Sequence, residues 1–209
     1  MWVKVCGLRD EQSVDAAGEA GADAVGFVFA AKSPRFLAAA DAAHLVSRVP
    51  RSVATVGVFR RQPVDDVVRL ATEAGVTTVQ LHGDEPPSDF ALVRAHGFRT
   101  IRATTAARYL AETPDQRDAY GEDLLLLDAP SPGAGQTFDS SDLRTSPPSR
   151  DWALAGGLTP ENVVGLIRDL RPWGVDVSSG VESAPGVKDP DRVRAFITAV
   201  RSVGPVDAA

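Results

Sequence analysis

The chain has 209 residues, 44% of them hydrophobic and 24% charged, an ordinary globular composition that excludes disordered and fibrous classes and predicts one domain over residues 1–209. The net charge of −6 argues against a nucleic-acid partner, which needs a basic face, and no apolar run approaches the roughly 18 residues that cross a bilayer. Met1–Asp10 lacks the apolar stretch of a secretory signal, and a single cysteine cannot form an intramolecular disulfide, so we expect a cytoplasmic protein without a membrane partner.

Short β-branched and apolar runs recur along the chain at intervals of roughly 20 to 30 residues, the size of a strand plus a crossover helix. Several of them are apolar nearly throughout, which is typical of parallel strands covered on both faces. The predicted strands are Val3–Cys6, Ala24–Phe29, Ala54–Phe59, Thr77–Leu81, Arg99–Ala103, Leu124–Asp128, Trp152–Ala155 and Gly174–Val177.

The stretches between these strands carry helix signals. Gly21 and Gly75 are typical stops, and Thr159 is a predicted N-cap. The segment Ser131–Arg150 is rich in Pro, Ser, Gly and Asp, and predicts a long loop with at best about one turn of helix. The predicted helices are Asp10–Ala20, Ala38–Val49, Pro63–Ala74, Ser88–His96, Thr105–Ala119, Pro160–Leu170 and Asp191–Val203.

Eight strand-and-helix units predict a single-domain α/β protein, a (β/α)₈ TIM barrel with a short or missing helix after strand six. The alternative is an open doubly wound sheet. Its G-x-G-x-x-G fingerprint is absent, because Cys6-Gly7-Leu8-Arg9 follows the first strand instead.

Active residues of such barrels lie at the carboxyl ends of the strands. These positions combine a thiol, carboxylates, basic groups and glycines, which a purely structural protein has little reason to collect at one rim. They are Cys6, Lys32 to Arg35, His82 to Glu85, Arg102, Asp128, Gly156-Gly157 and Ser178 to Gly180.

Two glycine-containing loops follow the seventh and eighth strands, where barrels commonly hold a phosphate. The glycines of Gly156-Gly157 and Ser179-Gly180 let backbone N–H groups approach an anion closely. A short helix near Gly180 would also direct the positive end of its dipole at that anion. Each glycine alone is explained as well by a turn. The two loops together predict phosphate binding.

Four side chains at the predicted rim have both a chemical and a structural interpretation. Cys6 is either a base or a small buried apolar residue, and Asp128 is either a proton-holding acid or a brace for the loop that follows it. Arg35 would clamp a carboxylate or remain solvated, and His82 would contact substrate or form a polar wall. Metal ligation finds little support, because Cys6 and three scattered histidines lack ligand spacing.

An ordered set of segments resembles the phosphoribosylanthranilate isomerase family of tryptophan biosynthesis over essentially the whole chain. The matching segments are Lys4 to Arg9, Gly21 to Asp23, Gly26 to Phe29, Lys32 to Arg35, Val56 to Phe59, Val79 to Glu85, Leu127-Asp128, Gly133 to Gly135, Thr137 to Asp139, Leu154 to Leu158, Pro160 to Val163, Asp176 to Ser183, and Pro185-Gly186 with Lys188-Asp189.

The resemblance implies a (β/α)₈ barrel that performs a cofactor-free and metal-free Amadori rearrangement of a phosphosugar. It implies Cys6 as general base and Asp128 as general acid, with Arg35 on the anthranilate carboxylate. Lys4, His82 and Asp176 are further substrate-binding candidates. The backbone around Gly156, Gly157, Ser179 and Gly180 would hold the phosphate, and the loop around Gly135 would close over it.

Other functions remain open at this point. A related sugar-phosphate isomerase of the ProFAR type would have a carboxylate in place of Cys6, a secondary-metabolite paralogue would take another aryl group, and a non-catalytic sensor would bind without turnover. The chain departs from the family at Ser140-Ser141, where an aromatic residue is common. The oligomeric state is not readable from the sequence, although a monomer is slightly favoured.

Overall fold

A computed structural model describes residues 1–128 and 141–204 of the chain. Eight described strands, all parallel, close into a barrel in which each strand pairs with the next along the chain and β8 pairs with β1. This confirms the predicted (β/α)₈ architecture. The barrel strands are Trp2–Cys6 (β1), Ala24–Val28 (β2), Ala54–Phe59 (β3), Thr78–Leu81 (β4), Arg99–Thr105 (β5), Leu124–Asp128 (β6), Trp152–Leu154 (β7) and Gly174–Val177 (β8).

Helices surround the barrel, and all of the described ones except the last connect consecutive barrel strands. None of those in the described ranges is long and apolar enough to cross a membrane. The helices are Glu11–Glu19 (α1), Ala39–Val46 (α2), Val64–Ala74 (α3), Pro87–Ala95 (α4), Ala106–Ala111 (α5), Pro114–Asp118 (α6), Ser141–Thr145 (α7), Val163–Leu170 (α8) and Pro190–Arg201 (α9).

Alternation along the strands divides the buried apolar side chains into two layers. The inner layer fills the barrel with small and branched residues such as Val56, Ile101, Leu126 and Ala153. The outer layer packs the strands against the helices. Residues two apart on a strand therefore share a face, and this parity decides which side chains reach the mouth.

Two predicted helices differ in their extent from the observed ones. The stretch Thr105–Ala119 is two helices rather than one, because Thr113 and Gln116 form a capping box that starts α6 at Pro114. The predicted helix Pro160–Leu170 begins only at Val163, where Asn162 is the N-cap in place of Thr159. After β6 the described helix is the five-residue α7, as the composition of that segment predicts.

The chain after β8 begins with the short helix that is expected near Gly180 and continues into a hairpin that the sequence did not predict. Ser179–Val181 forms one 3₁₀ turn, and it leads into an antiparallel hairpin of Glu182–Ala184 (β9) and Val187–Lys188 (β10). An ideal Cβ at Gly186, whose φ is +79°, would collide with the carbonyl group of Pro34. The hairpin therefore packs directly on the loop that carries Arg35.

Candidate active site

The thiol of Cys6 lies at the carboxyl end of β1 and faces the barrel interior. Lys4, two residues earlier, shares that face, and both side chains are buried. Gly26 is their neighbour on β2, where an ideal Cβ would lie 2.9 Å from Cys6 Sγ and 3.2 Å from Lys4 Cε. A glycine in this otherwise apolar strand thus leaves space for a thiol and an ammonium side by side.

Lys4 is the centre of a polar network beneath the mouth. Its Nζ donates to Asp176 Oδ2 on β8 at 2.8 Å and to Gln80 Oε1 on β4 at 2.8 Å. Lys4 is fully buried and Asp176 is 7% exposed, so this ion pair is largely removed from water. Charges in such a place require partners, and the ladder register that puts Lys4 beside Asp176 supplies one.

His82 and Asp128 face each other at the rim. His82 follows β4 and places its Nε2 3.2 Å from Asp128 Oδ2 at the end of β6. The Nδ1 atom of the same ring lies 3.5 Å from Gln80 Nε2. A continuous set of contacts therefore leads from Lys4, beside the thiol, through Gln80 and His82 to the Asp128 carboxylate.

Burial and the neighbouring cations shift the pKa of the Cys6 thiol in opposite directions. Burial raises the pKa of the Cys6 thiol above its ordinary value, while the cations of Lys4 and Lys188 act to lower it and Asp176 adds to the rise. Burial alone would lower the pKa of Lys4, but its interactions with Asp176 and Cys6 raise that pKa. Lys4 is therefore an ammonium at neutral pH, next to a thiol that is mainly protonated at rest.

Arg35 lies against the first loop and is engaged by a protein carboxylate. Its Nε and Nη2 donate to Glu182 Oε1 and Oε2 at 2.6 and 2.8 Å. The side chain rests on Gly7, whose φ is +81° and where an ideal Cβ would lie 2.5 Å from Arg35 Cδ. The predicted two-point clamp exists, but its partner here is β9. Among the described residues, Nη1 has no hydrogen-bond acceptor, so it can donate to a further one.

Lys188 joins the hairpin to the barrel rim. Its Nζ donates to Glu182 Oε1 at 2.8 Å and to the Ser178 carbonyl at 3.0 Å. Burial on its own would raise the pKa of Glu182, but hydrogen bonds from Arg35 and Lys188 hold it below its usual value. Burial lowers the pKa of Lys188, against the attraction of Glu182.

The two glycine loops meet backbone to backbone. An ideal Cβ at Gly180 would overlap the Leu158 carbonyl oxygen and would lie 2.8 Å from its carbon, so only glycine permits this approach. Gly156 and Gly157 have φ values of +84° and +65°, and an ideal Cβ at Gly157 would meet no described atom within 4 Å. Asn162 Nδ2 donates to the Gly157 carbonyl at 2.9 Å and fixes the loop.

Several residues that were predicted at the rim are not part of the network around Cys6 and Asp128. Arg102 is on the outer face of β5, with an ion pair to Glu112 and its guanidinium carbon 3.5 Å from the centre of the Tyr120 ring. Glu85 accepts a hydrogen bond from the Arg61 amide at 2.6 Å. Lys32 is exposed. Gly135, in the loop predicted to close over the phosphate, lies outside the described residues.

Three residues of this network were absent from the predicted set: Gln80, Glu182 and Lys188. Gln80 lies two residues before His82, so strand parity could have found it. Glu182 and Lys188 depend on a hairpin for which the sequence pattern gave no signal. Within the described ranges, no group of three or more His, Cys, Asp or Glu side chains is arranged to hold a metal ion.

Comparison with known proteins identifies the family. The family model "N-(5'phosphoribosyl)anthranilate (PRA) isomerase" matches residues 3–199. The chain belongs to this isomerase family. It is therefore an enzyme of the intramolecular oxidoreductase class.

Individual relatives agree with this assignment. The N-(5'-phosphoribosyl)anthranilate isomerase of Paracoccus denitrificans is 44% identical over 98% of each chain. The crystal structure of TrpF from Jonesia denitrificans has a TM-score of 0.88 at 47% identity, covering 97% of this chain and 98% of that one. A phosphoribosyl anthranilate isomerase solved in complex with reduced 1-(o-carboxyphenylamino)-1-deoxyribulose 5-phosphate has a TM-score of 0.81 at 35% identity, covering 97% and 99%.

Proposed function

We propose that the chain isomerises N-(5'-phosphoribosyl)anthranilate to 1-(o-carboxyphenylamino)-1-deoxyribulose 5-phosphate in tryptophan biosynthesis. The observation that carries this proposal is the placement of a buried thiol, Cys6, and a rim carboxyl group, Asp128, at one barrel mouth, linked through Lys4, Gln80 and His82. An internal rearrangement of this kind needs one group that delivers a proton and one that removes a proton.

Asp128 starts the reaction as the general acid. It delivers its proton to the ribose ring oxygen, the bond between that oxygen and C1 breaks, and the nitrogen lone pair forms a C1=N Schiff base. Asp128 is 16% exposed at its side chain, which leaves it open toward the mouth while His82 contacts one of its oxygens. The ring-opened intermediate keeps all of the substrate's atoms.

Cys6 completes the reaction as the general base. As a thiolate it removes the proton from C2, and the electrons of that C–H bond form the enolamine while the C=N bond returns its pair to nitrogen. Tautomerisation of the enolamine gives the ketone product. Lys4 and Lys188 favour the thiolate electrostatically against the effect of burial.

The remaining predicted residues are proposed to bind the substrate. Amides around Gly156, Gly157, Ser179 and Gly180 would take the phosphate, because the two loops adjoin at one edge of the mouth. The Nη1 edge of Arg35 would take the anthranilate carboxylate, since Glu182 occupies only Nε and Nη2. Asp176 Oδ1 is buried and has no hydrogen-bond partner among the described residues, so Asp176 has acceptor capacity left for a ribose hydroxyl.

The test follows the fluorescence of phosphoribosylanthranilate during turnover. We expect Cys6→Ser and Asp128→Asn each to lower kcat/KM by about 10²–10⁴-fold, the range of general acid–base catalysis. Asp115→Asn on α6 is the control, because it removes a surface carboxylate away from the mouth. Wild-type rates in either mouth variant would disprove the assigned roles.

The same preparation should be assayed with ProFAR. Cys6 occupies the position where a ProFAR-type enzyme is expected to carry a carboxylate, so turnover of phosphoribosylanthranilate alone is the expected result. Binding of the substrate without turnover by the wild type would instead favour a sensor.

A further inference from the structure

Gln80 is buried between the two halves of the proposed acid–base machinery. Its side chain is 1% exposed, and each end of its carboxamide has a partner. Lys4 Nζ lies 2.8 Å from Oε1, and His82 Nδ1 lies 3.5 Å from Nε2. Nothing in the proposed chemistry requires this residue to touch the substrate.

The orientation of the Gln80 carboxamide follows from the charge of Lys4. An ammonium only donates hydrogen bonds, so the oxygen of the carboxamide must face Lys4. Its NH₂ group must then face His82, and Nδ1 of that ring must accept. A neutral imidazole that accepts at Nδ1 carries its proton at Nε2.

We infer that Gln80 is a positioning residue that holds His82 as the neutral Nε2–H tautomer facing Asp128. This inference rests on the proposed acid role of Asp128. The Nε2–H group donates to Asp128 Oδ2, across the observed 3.2 Å. The acidic proton must therefore sit on Oδ1, the oxygen that His82 does not occupy, and it can be delivered to the substrate from there.

The other protonation states of His82 would work against the acid. A ring with a bare Nε2 would accept the proton of Asp128. An imidazolium would hold Asp128 ionised, with no proton to deliver. Gln80 opposes both, because its N–H group occupies Nδ1, where either state needs a proton.

The charged groups that face this part of the mouth come from three other strands. They are Asp128 on β6, Asp176 on β8 and Lys4 on β1. Asp84, two residues after His82, is engaged by Arg108 and by Arg61, whose Nη2 lies 2.7 Å away. Of these groups, Asp128 contacts the ring at Nε2, whereas the carboxamide donor of Gln80 lies at Nδ1.

Gln80→Glu tests the inference because it keeps the shape and the contact with Lys4 but replaces the donor at Nδ1 by an acceptor. The readout is long-range ¹H–¹⁵N correlation of the histidine rings at pH 7.5, which distinguishes the two tautomers and the imidazolium. His96 is an internal standard for the opposite tautomer, since its Nδ1 lies 2.9 Å from the Leu92 carbonyl. Wild-type His82 should show the Nε2–H pattern, and the variant should show Nδ1 protonated, either in the imidazolium or in the opposite tautomer.

Kinetics provide the second readout. We expect Gln80→Glu to lower kcat about 10- to 100-fold, a part of what acid–base catalysis contributes, with KM changed about twofold or less. Gln116→Glu is the matched control: it makes the same chemical change at an exposed capping-box position that accepts glutamate, and should leave the His82 pattern unchanged.

Opposite results would overturn the inference. These are an Nδ1–H pattern for wild-type His82, or a wild-type pattern in Gln80→Glu. If that variant does not fold, Gln80→Met also removes the donor and should raise the imidazolium fraction of His82; an unchanged fraction would again overturn it. Absence of turnover by the wild-type protein would overturn the proposed function, whereas the ring spectra test the tautomer independently.

Discussion

Ser178 Oγ donates a hydrogen bond to the main-chain carbonyl of Cys6 at 3.0 Å, so the carboxyl ends of β8 and β1 are joined beside the thiol. Lys188 contacts the same serine, through its carbonyl at 3.0 Å and its hydroxyl at 3.3 Å. A lysine of the hairpin is thereby held close enough to Cys6 to favour its thiolate. The hairpin thus contributes to the proposed chemistry without carrying a reacting group.

Replacing Lys188 should move the pH dependence of turnover. The proposed base is the thiolate, so kcat/KM should rise with pH as Cys6 loses its proton. Lys188 lowers the pKa of Cys6, and Lys188→Met should therefore move this rise to higher pH and reduce kcat/KM at pH 7 by about 3- to 10-fold. Lys32→Met, at an exposed position, removes the same charge and should not move the rise. A shift to lower pH in Lys188→Met would contradict the electrostatic role.

The carboxylate of Glu182 should stabilise the fold in a pH-dependent way. Arg35 and Lys188 hold its pKa below the ordinary glutamate value, so its contribution is complete above that value and is lost as pH falls through the lower folded pKa. Glu182→Gln should cost about 2 kcal/mol at pH 7 by urea unfolding, and less below about pH 4. Glu73→Gln, an exposed change, should stay within about 0.5 kcal/mol. A difference that does not vary with pH would contradict this account.

Strand positions and mouth residues were predictable because they depend on local periodicity. Alternation along β1 places Lys4 and Cys6 on one face of that strand. The same alternation places Gln80 and His82 on one face of β4 and its extension. The break between α5 and α6 was also readable, since Thr113 and Gln116 have capping-box spacing followed by Pro114.

Contacts between distant segments could not be read in this way. The carboxylate that Arg35 binds is 147 residues away, on a hairpin whose packing against Pro34 depends on the turn at Gly186. Likewise, Gln80 looks like an ordinary buried polar residue until the barrel closes and brings Lys4, 76 residues away, to its oxygen. Such pairings follow from closure of the sheet and from loop packing, which sequence periodicity does not encode.

Arg102 should matter for stability and not for substrate binding, although it was predicted at the rim because it lies near the carboxyl end of its predicted strand, as the mouth residues do. It lies outside the barrel, 3% exposed, against Glu112 and the Tyr120 ring. Arg102→Met leaves Glu112 without this partner and should cost about 3–5 kcal/mol of unfolding free energy, while KM stays within about twofold. Arg99→Met, on the exposed end of the same strand, is the control. A large rise in KM for Arg102→Met in folded protein would place Arg102 at the site after all.

Gly180 should be required both for the junction of the two glycine loops and for phosphate binding. A Cβ there overlaps the Leu158 carbonyl group. Because the overlapped atoms belong to the backbone, they cannot move aside as the end of a flexible side chain would. Gly180→Ala should therefore cost about 3 kcal/mol, at the upper end of overpacking, and raise KM more than about tenfold by separating the loops. Gly165→Ala is the matched control: it lies inside α8, an ideal Cβ meets no described atom within 4 Å, and the change should stabilise the fold by about 0.5–1 kcal/mol.

Inhibition by inorganic phosphate separates the effect of Gly180→Ala on binding from its effect on stability. Loss of the junction between the loops weakens phosphate inhibition, whereas loss of stability alone does not. Unchanged phosphate inhibition in folded Gly180→Ala would mean that the phosphate binds elsewhere.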